Sequence, residues 1–280
     1  MPGPPSTSTS EQTPPFGNVV PRRRRRWPVL VAVAAPLVVL AVLVTVWLSS
    51  GPLSTVTGPP PPEAPLFTIP ELDVTPGSEV PMVPRALPAT AATRDRWLTD
   101  MSANSDIPRR VLLAYVDAAR TTAQRHPSCR LTWTTLAGIG RIESDHGQHH
   151  GDLVTSSGTE LYPIVGPVLD GSPGVRSIHD TDHGRLDGDR VWDHAVGPMQ
   201  FLPSRWASMG ERASGDGKAP DPQNIDDAAL TAATYLCESG DLAVPARWWR
   251  AAFHYNNSVS YGRAVFSAAE AYAKVGAKVR

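Results

Sequence analysis

The sequence lacks any broad excess of basic residues. Its 280 residues carry a formal net charge of −1, but residues 1–26 hold five arginines and one glutamate, which leaves a net charge of −5 for the rest of the chain. Proteins that bind duplex nucleic acid spread basic side chains over a folded surface, whereas these arginines form one unbroken run at residues 22–26. The charge distribution therefore argues against nucleic acid as a partner.

Alternating strand patterns and internal repeats are also missing. Apolar residues recur at helical spacing over residues 106–127 and 132–143, and further helices are expected after Pro203, over residues 226–239, and from Pro245 and Ser258. Between residues 147 and 195 the pattern is lost among Gly, Asp, Pro and His. The sequence predicts a mostly α fold with one long irregular loop insertion that has room for a short hairpin.

The first third of the chain has a different composition. Of the 29 prolines, only ten lie beyond residue 100, so a packed core is not expected there. Residues 1–26 are interpreted as a disordered cytoplasmic tail, 27–48 as a transmembrane helix, 49–94 as a Pro-rich extracytoplasmic linker and 95–280 as the folded domain.

The membrane assignment depends on residues 29–48, a stretch of 20 residues without charge that as a helix would span a bilayer. The arginines before it predict a cytoplasmic N-terminus and an extracytoplasmic domain in a single-pass protein of the cell membrane. A cleaved secretory signal is the alternative, with a shorter apolar region and a small-residue cleavage site as its usual marks.

Export of the domain would decide whether the two cysteines, Cys129 and Cys237, can form a disulfide. An oxidising compartment permits a disulfide between them, and two buried thiols are the alternative. No metal or cofactor is expected. The histidines near His146 lack the fixed spacing of a zinc site, and the acidic residues around Asp180 and Asp182 fail the twelve-residue calcium-loop pattern, so they are interpreted as turn-capping residues.

Glu143 is the candidate catalytic residue. On a helix it shares a face with Leu136 and Ile139, close to a stop at Gly147. Burial and the negative end of the helix dipole both favour its protonated form, which makes it a candidate general acid. The alternative is a structural glutamate that turns sideways and pairs with Arg141.

Two further segments carry polar groups suited to binding N-acetyl sugars: residues 195–203, with one amide at Gln200, and residues 253–258, with a tyrosine and two asparagines. The order Glu143-Ser144, then Gly-Pro-Met-Gln-Phe at 197–201, then Tyr255-Asn256-Asn resembles the lysozyme-like lytic murein transglycosylases of the membrane-bound lytic transglycosylase B type. The resemblance covers about residues 95–275.

The resemblance implies a lysozyme-like domain that cleaves the β-1,4 bond between N-acetylmuramic acid and N-acetylglucosamine in peptidoglycan glycan strands, without water and without a cofactor, leaving 1,6-anhydro ends. It implies Glu143 as the single acid/base. The residues that it places with the substrate are Ser144, Met199, Gln200, Phe201, Tyr255 and Asn256. Two alternatives stay open: a muramidase that hydrolyses the same bond, and a peptidoglycan-binding scaffold without turnover.

Overall fold

The fold of the C-terminal part of the chain is mostly helical, as predicted. The computed structural model describes residues 67–84, 86–88, 90–148 and 154–279, which belong to one compact unit, Ala64–Arg280. In these residues there are seven helices and two short strands: α1 (Ala91–Ala103), α2 (Arg109–Arg125), α3 (Trp133–Ser144), β1 (Val165–Val168), β2 (His194–Val196), α4 (Pro203–Met209), α5 (Ile225–Cys237), α6 (Pro245–Tyr255) and α7 (Val259–Lys278).

The predicted cytoplasmic tail, the transmembrane helix and the start of the linker lie outside the described residues. No helix within the described ranges is long and apolar enough to cross a bilayer.

The helix predicted from residue 106 begins three residues later, at Arg109, and its N-cap Pro108 makes no side-chain hydrogen bond. Local capping signals explain why the other predicted helix starts agree with the observed ones. Thr132 accepts the N–H of Thr135 at the start of α3, and Asn224 and Ser258 cap α5 and α7 in the same way. Pro203 and Pro245 occupy the first turns of α4 and α6, where a missing N–H costs nothing.

One helix was not expected from the sequence. Helix α1 is capped by Thr90 and therefore begins inside the segment predicted as a linker. Only Trp97, Leu98 and Met101 of this helix are buried. So few apolar positions among Thr, Arg and Asp give a weak periodic signal.

Residues 67–84, here called the strap, also come from the predicted linker but pack on the domain. The ring of Phe67 stacks on Tyr272 of α7 with 5.3 Å between centroids. The backbone N–H of Leu72 donates to Ser267 Oγ at 3.0 Å, and the indole N–H of Trp249 donates to the Glu79 carbonyl at 3.0 Å. The strap is therefore part of the folded unit.

Helix α3 lies at the centre of the core. It packs mainly against α7, while α2 packs against α5. Gly138 permits the close approach of α3 and α7, since a Cβ at this position would lie 2.7 Å from the Val265 carbonyl oxygen. Leu136 and Ile139, on the predicted apolar face of α3, are fully buried.

The predicted disulfide between Cys129 and Cys237 is present. It joins residues 108 apart in sequence with 5.4 Å between their Cα atoms, and it links the turn before α3 to the last residue of α5. In the chain-entropy account a loop of this length stabilises the fold by about 4 to 5 kcal/mol at most. The bond therefore fixes the start of the helix that carries Glu143.

The long insertion contains the two strands. β1 pairs antiparallel with β2, with Val165 opposite Val196 and Val168 opposite His194 across an irregularity. The pairing places β2 immediately before the Gly-Pro-Met-Gln segment, so the insertion supports this segment from one side.

Candidate active site

Glu143 lies in the last turn of α3, and the helix ends abruptly after it. Asp145 caps the helix in the left-handed region at φ 52°, and His146 and Gly147 follow with φ of 61° and 79°. Arg141 pairs with Asp145 at 2.5 Å. The expected alternative, an ion pair between Arg141 and Glu143, is thus not the arrangement observed.

The partner of Glu143 is a tyrosine. The hydroxyl of Tyr261, in the first turn of α7, donates to Glu143 Oε1 at 2.6 Å in a partly buried position. Burial raises the pKa of Glu143 from its ordinary 4.5 to about 7, and the Tyr261 hydrogen bond opposes that rise. Near neutral pH this carboxyl group is therefore able both to donate and to accept a proton.

Ser144 ties the end of α3 to the neighbouring loop. Its hydroxyl donates to the Pro198 carbonyl at 2.7 Å and accepts the N–H of Gly147 at 2.8 Å. The side chain is 2% exposed, so it has no surface to offer a sugar in this conformation. Its contacts fix the position of Glu143 relative to residues 197–200.

The Gly-Pro-Met-Gln segment is a tight loop closed by a pair of backbone hydrogen bonds between Val196 and Phe201. Gly197 adopts a φ of 76°, and a Cβ at this residue would lie 1.8 Å from the Pro222 carbonyl oxygen. A side chain is therefore excluded there by both conformation and space.

Gln200 is held at the end of this loop. It has a φ of 49°, and its side-chain Nε2 donates to the Gly197 carbonyl at 2.9 Å. The bond orients the amide, and Oε1 faces Gly166 of β1, where a Cβ would lie 2.5 Å from it. The side chain is half-buried.

Tyr255 joins this loop to the end of α6. Its hydroxyl donates to the Met199 carbonyl at 2.8 Å, and its ring lies 5.7 Å from that of Phe201. Burial, and next the charge of Glu143, raise the pKa of Tyr255 well above its ordinary value. Tyr255 therefore lies close enough to Glu143 for the two groups to interact electrostatically.

The predicted substrate-contact residues fall into two groups. Gln200 and Tyr255 are partly exposed and Asn256, the C-terminal cap of α6, is exposed. Met199 and Phe201 are 0% and 3% exposed, so their side chains, like that of Ser144, lie beneath the surface. The structure brings all six near Glu143 or its supporting loop, but only the first three present side-chain surface to a ligand.

No family model and no curated protein matches the sequence, and no solved structure matches the fold. The interpretation of this site therefore depends on its geometry and on the three sequence segments that meet in it.

Tyr261 is the site residue that the sequence did not indicate. It lies one turn before Val265, the residue of α7 that approaches Gly138 of α3. Since α7 runs back along α3, this spacing places Tyr261 beside the end of α3 and so beside Glu143. The relation becomes visible only when the pairing of the two helices is known.

His146, in the group of histidines that lacks the spacing of a zinc site, packs inside the domain. It is fully buried, and its two ring nitrogens lie within hydrogen-bonding distance of the hydroxyls of Tyr115 and Tyr272, at 3.2 and 2.8 Å. Burial lowers its pKa to about 3, so a neutral imidazole anchors the turn after Glu143.

An acidic group in the insertion has the proximity that a metal site needs. Oxygen atoms of Asp180, Asp182 and Asp193 lie within 4.8 Å of one another. Each carboxylate already accepts backbone N–H groups, for example those of Arg185 and Leu186 on Asp182. Such bonds are those of the Asp-capped turns predicted from the sequence.

Proposed function

We propose that this protein is a peptidoglycan lytic transglycosylase with Glu143 as its single acid/base. One observation carries the proposal: burial raises the pKa of Glu143 to about 7 where three separated sequence segments meet. Ser144, next to Glu143, bonds to the Pro198 carbonyl, and Tyr255 bonds to the Met199 carbonyl of the same loop. These are the segments whose order resembles that of the lytic transglycosylase family.

In the proposed reaction Glu143 first donates its proton to the oxygen of the β-1,4 bond, and the bond to the anomeric carbon of N-acetylmuramic acid breaks. The acetamide of the same sugar stabilises the positive charge at that carbon. The C6 hydroxyl then attacks the carbon and returns its proton to Glu143. One acid thus serves both steps, and no water is consumed.

Tyr261 has a defined part in this cycle. Its hydroxyl donates to Oε1 of Glu143 at 2.6 Å, and a donor stabilises the ionised carboxylate more than the neutral acid. The bond therefore favours the proton donation of the first step and fixes the carboxyl plane. Tyr261 is a positioning residue for Glu143.

The surroundings of Glu143 favour a mechanism with one acid. The nearest acid in sequence, Asp145, is paired with Arg141. Among the described residues, burial and Tyr261 account for the altered pKa of Glu143, with no contribution from another carboxylate. Glycosidases that use two acids place the second carboxylate across the scissile bond.

We further propose that the domain works outside the membrane, anchored by residues 27–48. The disulfide between Cys129 and Cys237 supports this location, because such bonds persist in oxidising compartments. The glycan strands within reach of the anchored domain are then its substrate.

The decisive experiment is mass analysis of purified peptidoglycan incubated with the full-length chain, with its Glu143→Gln variant, and with a Glu238→Gln control at an exposed position. We expect anhydro-ended muropeptides from the wild type and the control but none from Glu143→Gln. Reducing ends in place of anhydro ends would identify a muramidase. Binding of peptidoglycan without any product would favour a scaffold.

A further inference from the structure

Arg205 is an exposed cation of α4. Its guanidinium carbon lies 4.8 Å from the centroid of the Tyr235 ring, above the ring face. In the described part of the chain no carboxylate lies within ion-pair distance of it, whereas Arg125 has one such partner and Arg212 has two. A guanidinium stacked on a ring keeps its N–H edge free for a ligand.

The position of Arg205 connects it to the candidate site. The ring of Tyr235 lies 5.7 Å from that of Tyr255, and the Tyr235 hydroxyl donates to the His254 carbonyl at 2.7 Å. Tyr255 in turn bonds to Met199 in the loop that carries Gln200. Arg205 therefore lies at the outer end of a row of two tyrosines that starts at the Gly-Pro-Met-Gln loop.

A row of aromatic rings that ends in an unpaired guanidinium suits a ligand with sugar rings and a carboxylate. The partly exposed ring of Tyr255 provides surface for the C–H face of a saccharide, and guanidinium N–H groups bind a carboxylate through two parallel hydrogen bonds. Tyr235 limits the freedom of the long side chain, so less conformational entropy is lost on binding.

We propose that Arg205 is a specificity-determining residue that binds a carboxylate of the glycan substrate. The inference deepens the proposed function and depends on it for the identity of the glycan. In peptidoglycan the carboxylate has two sources: the lactyl group of muramic acid where the stem peptide is absent, and the stem peptide where it is present.

The test measures binding to the full-length chain carrying Glu143→Gln, which removes the proposed acid and so prevents turnover. The probes are tetrasaccharides of alternating N-acetylglucosamine and N-acetylmuramic acid, in three forms: with free lactyl carboxylates, with stem peptides, and with every carboxylate converted to an amide. Each is titrated by calorimetry with and without a second substitution, Arg205→Ala. Arg96→Ala, at an exposed arginine of α1 without an ion pair, is the matched control.

We expect Arg205→Ala to weaken the binding of at least one carboxylate-bearing probe by about 3- to 10-fold, the size of one charge-assisted contact. The probe affected identifies the source of the carboxylate. Binding of the amidated probe should not change, and Arg96→Ala should bind all three like the parent. Added salt should reduce the preference for carboxylates.

Equal binding of the carboxylate-bearing probes with and without Arg205 would overturn the inference. An equal loss for the amidated probe would also overturn it, because Arg205 would then support the surface without recognising charge. The proposed function is tested separately, by analysing the products that the unsubstituted chain makes from peptidoglycan. An Arg205-dependent preference in a protein that makes no product would leave this inference standing and refute the lyase.

Discussion

Replacing Glu143 with glutamine should change how the stability of the protein depends on pH. The wild-type group has a pKa of about 7 in the folded state in place of its ordinary 4.5. Below about pH 4.5 the carboxyl group is protonated in both the folded and the unfolded state, so it does not lower the stability of the fold. Between 4.5 and 7 the unfolded chain releases the proton while the folded chain keeps it, so the stability of the wild type falls as pH rises.

The size of the effect follows from the same two values. A tenfold change in proton affinity corresponds to about 1.4 kcal/mol, so the full change would be about 3 kcal/mol above pH 8. Because the side chain is partly exposed to water, about 1 to 3 kcal/mol is the expected range. Glutamine retains an acceptor for the Tyr261 hydroxyl but cannot ionise, so the variant avoids this cost.

The assay is urea unfolding of the full-length wild type and Glu143→Gln at pH 4.5, 6 and 8, with the free energies of unfolding compared at each pH. The free energy of unfolding of the variant should increase relative to that of the wild type as pH rises. Other groups, including the buried His146, titrate in both proteins and cancel in the difference. Glu238→Gln should track the wild type at each pH. A difference between Glu143→Gln and wild type that stays constant from pH 4.5 to 8 would refute the assignment of a raised pKa.

Three further predictions concern parts of the same unit. Tyr261→Phe removes the hydrogen bond that lowers the pKa of Glu143, so the high-pH limb of the pH–activity profile should move to higher pH. The value of kcat should fall more than KM rises, and an unchanged profile would contradict the assigned role. Replacing both Cys129 and Cys237 with alanine should lower the free energy of unfolding by about 2 to 5 kcal/mol, measured in urea, and a loss below 1 kcal/mol would contradict it. Phe67→Ala should cost about 2 to 4 kcal/mol, because the ring is 9% exposed and stacks on Tyr272; a thermal midpoint equal to that of the wild type would show that the strap adds no stability.

The sequence predicted those features whose causes are local. Helix α3 begins after Thr132 because the threonine side chain caps it, and it ends after Glu143 because the following residues take positive φ values. The raised pKa of Glu143 was also foreseeable, since the residue shares a helix face with Leu136 and Ile139. Burial, rather than the helix dipole, is the first cause of the rise.

Apart from the disulfide between Cys129 and Cys237, features that depend on contacts between distant segments were not predicted. The strap has the proline content of a spacer, yet Phe67 and Val74 are buried, and the ring of Phe67 stacks on Tyr272 of α7. No pattern in the sequence marked Tyr261 as a residue of the site. Motif order placed Met199 and Phe201 near the substrate, but it could not reveal that their side chains point beneath the loop.

Part of the backbone strain lies at the end of α3 and in the Gly-Pro-Met-Gln loop. Asp145, His146 and Gln200 are three of the six described residues other than glycine that have positive φ, and each such conformation costs of order 1 kcal/mol. The buried hydrogen bonds of His146 and the closed loop before Gln200 offset this cost. A surface that only held glycan strands would need neither the strain nor a partly buried acid whose raised pKa destabilises the fold as pH rises above about 4.5. Their presence together favours a catalytic role for this site over a scaffold role.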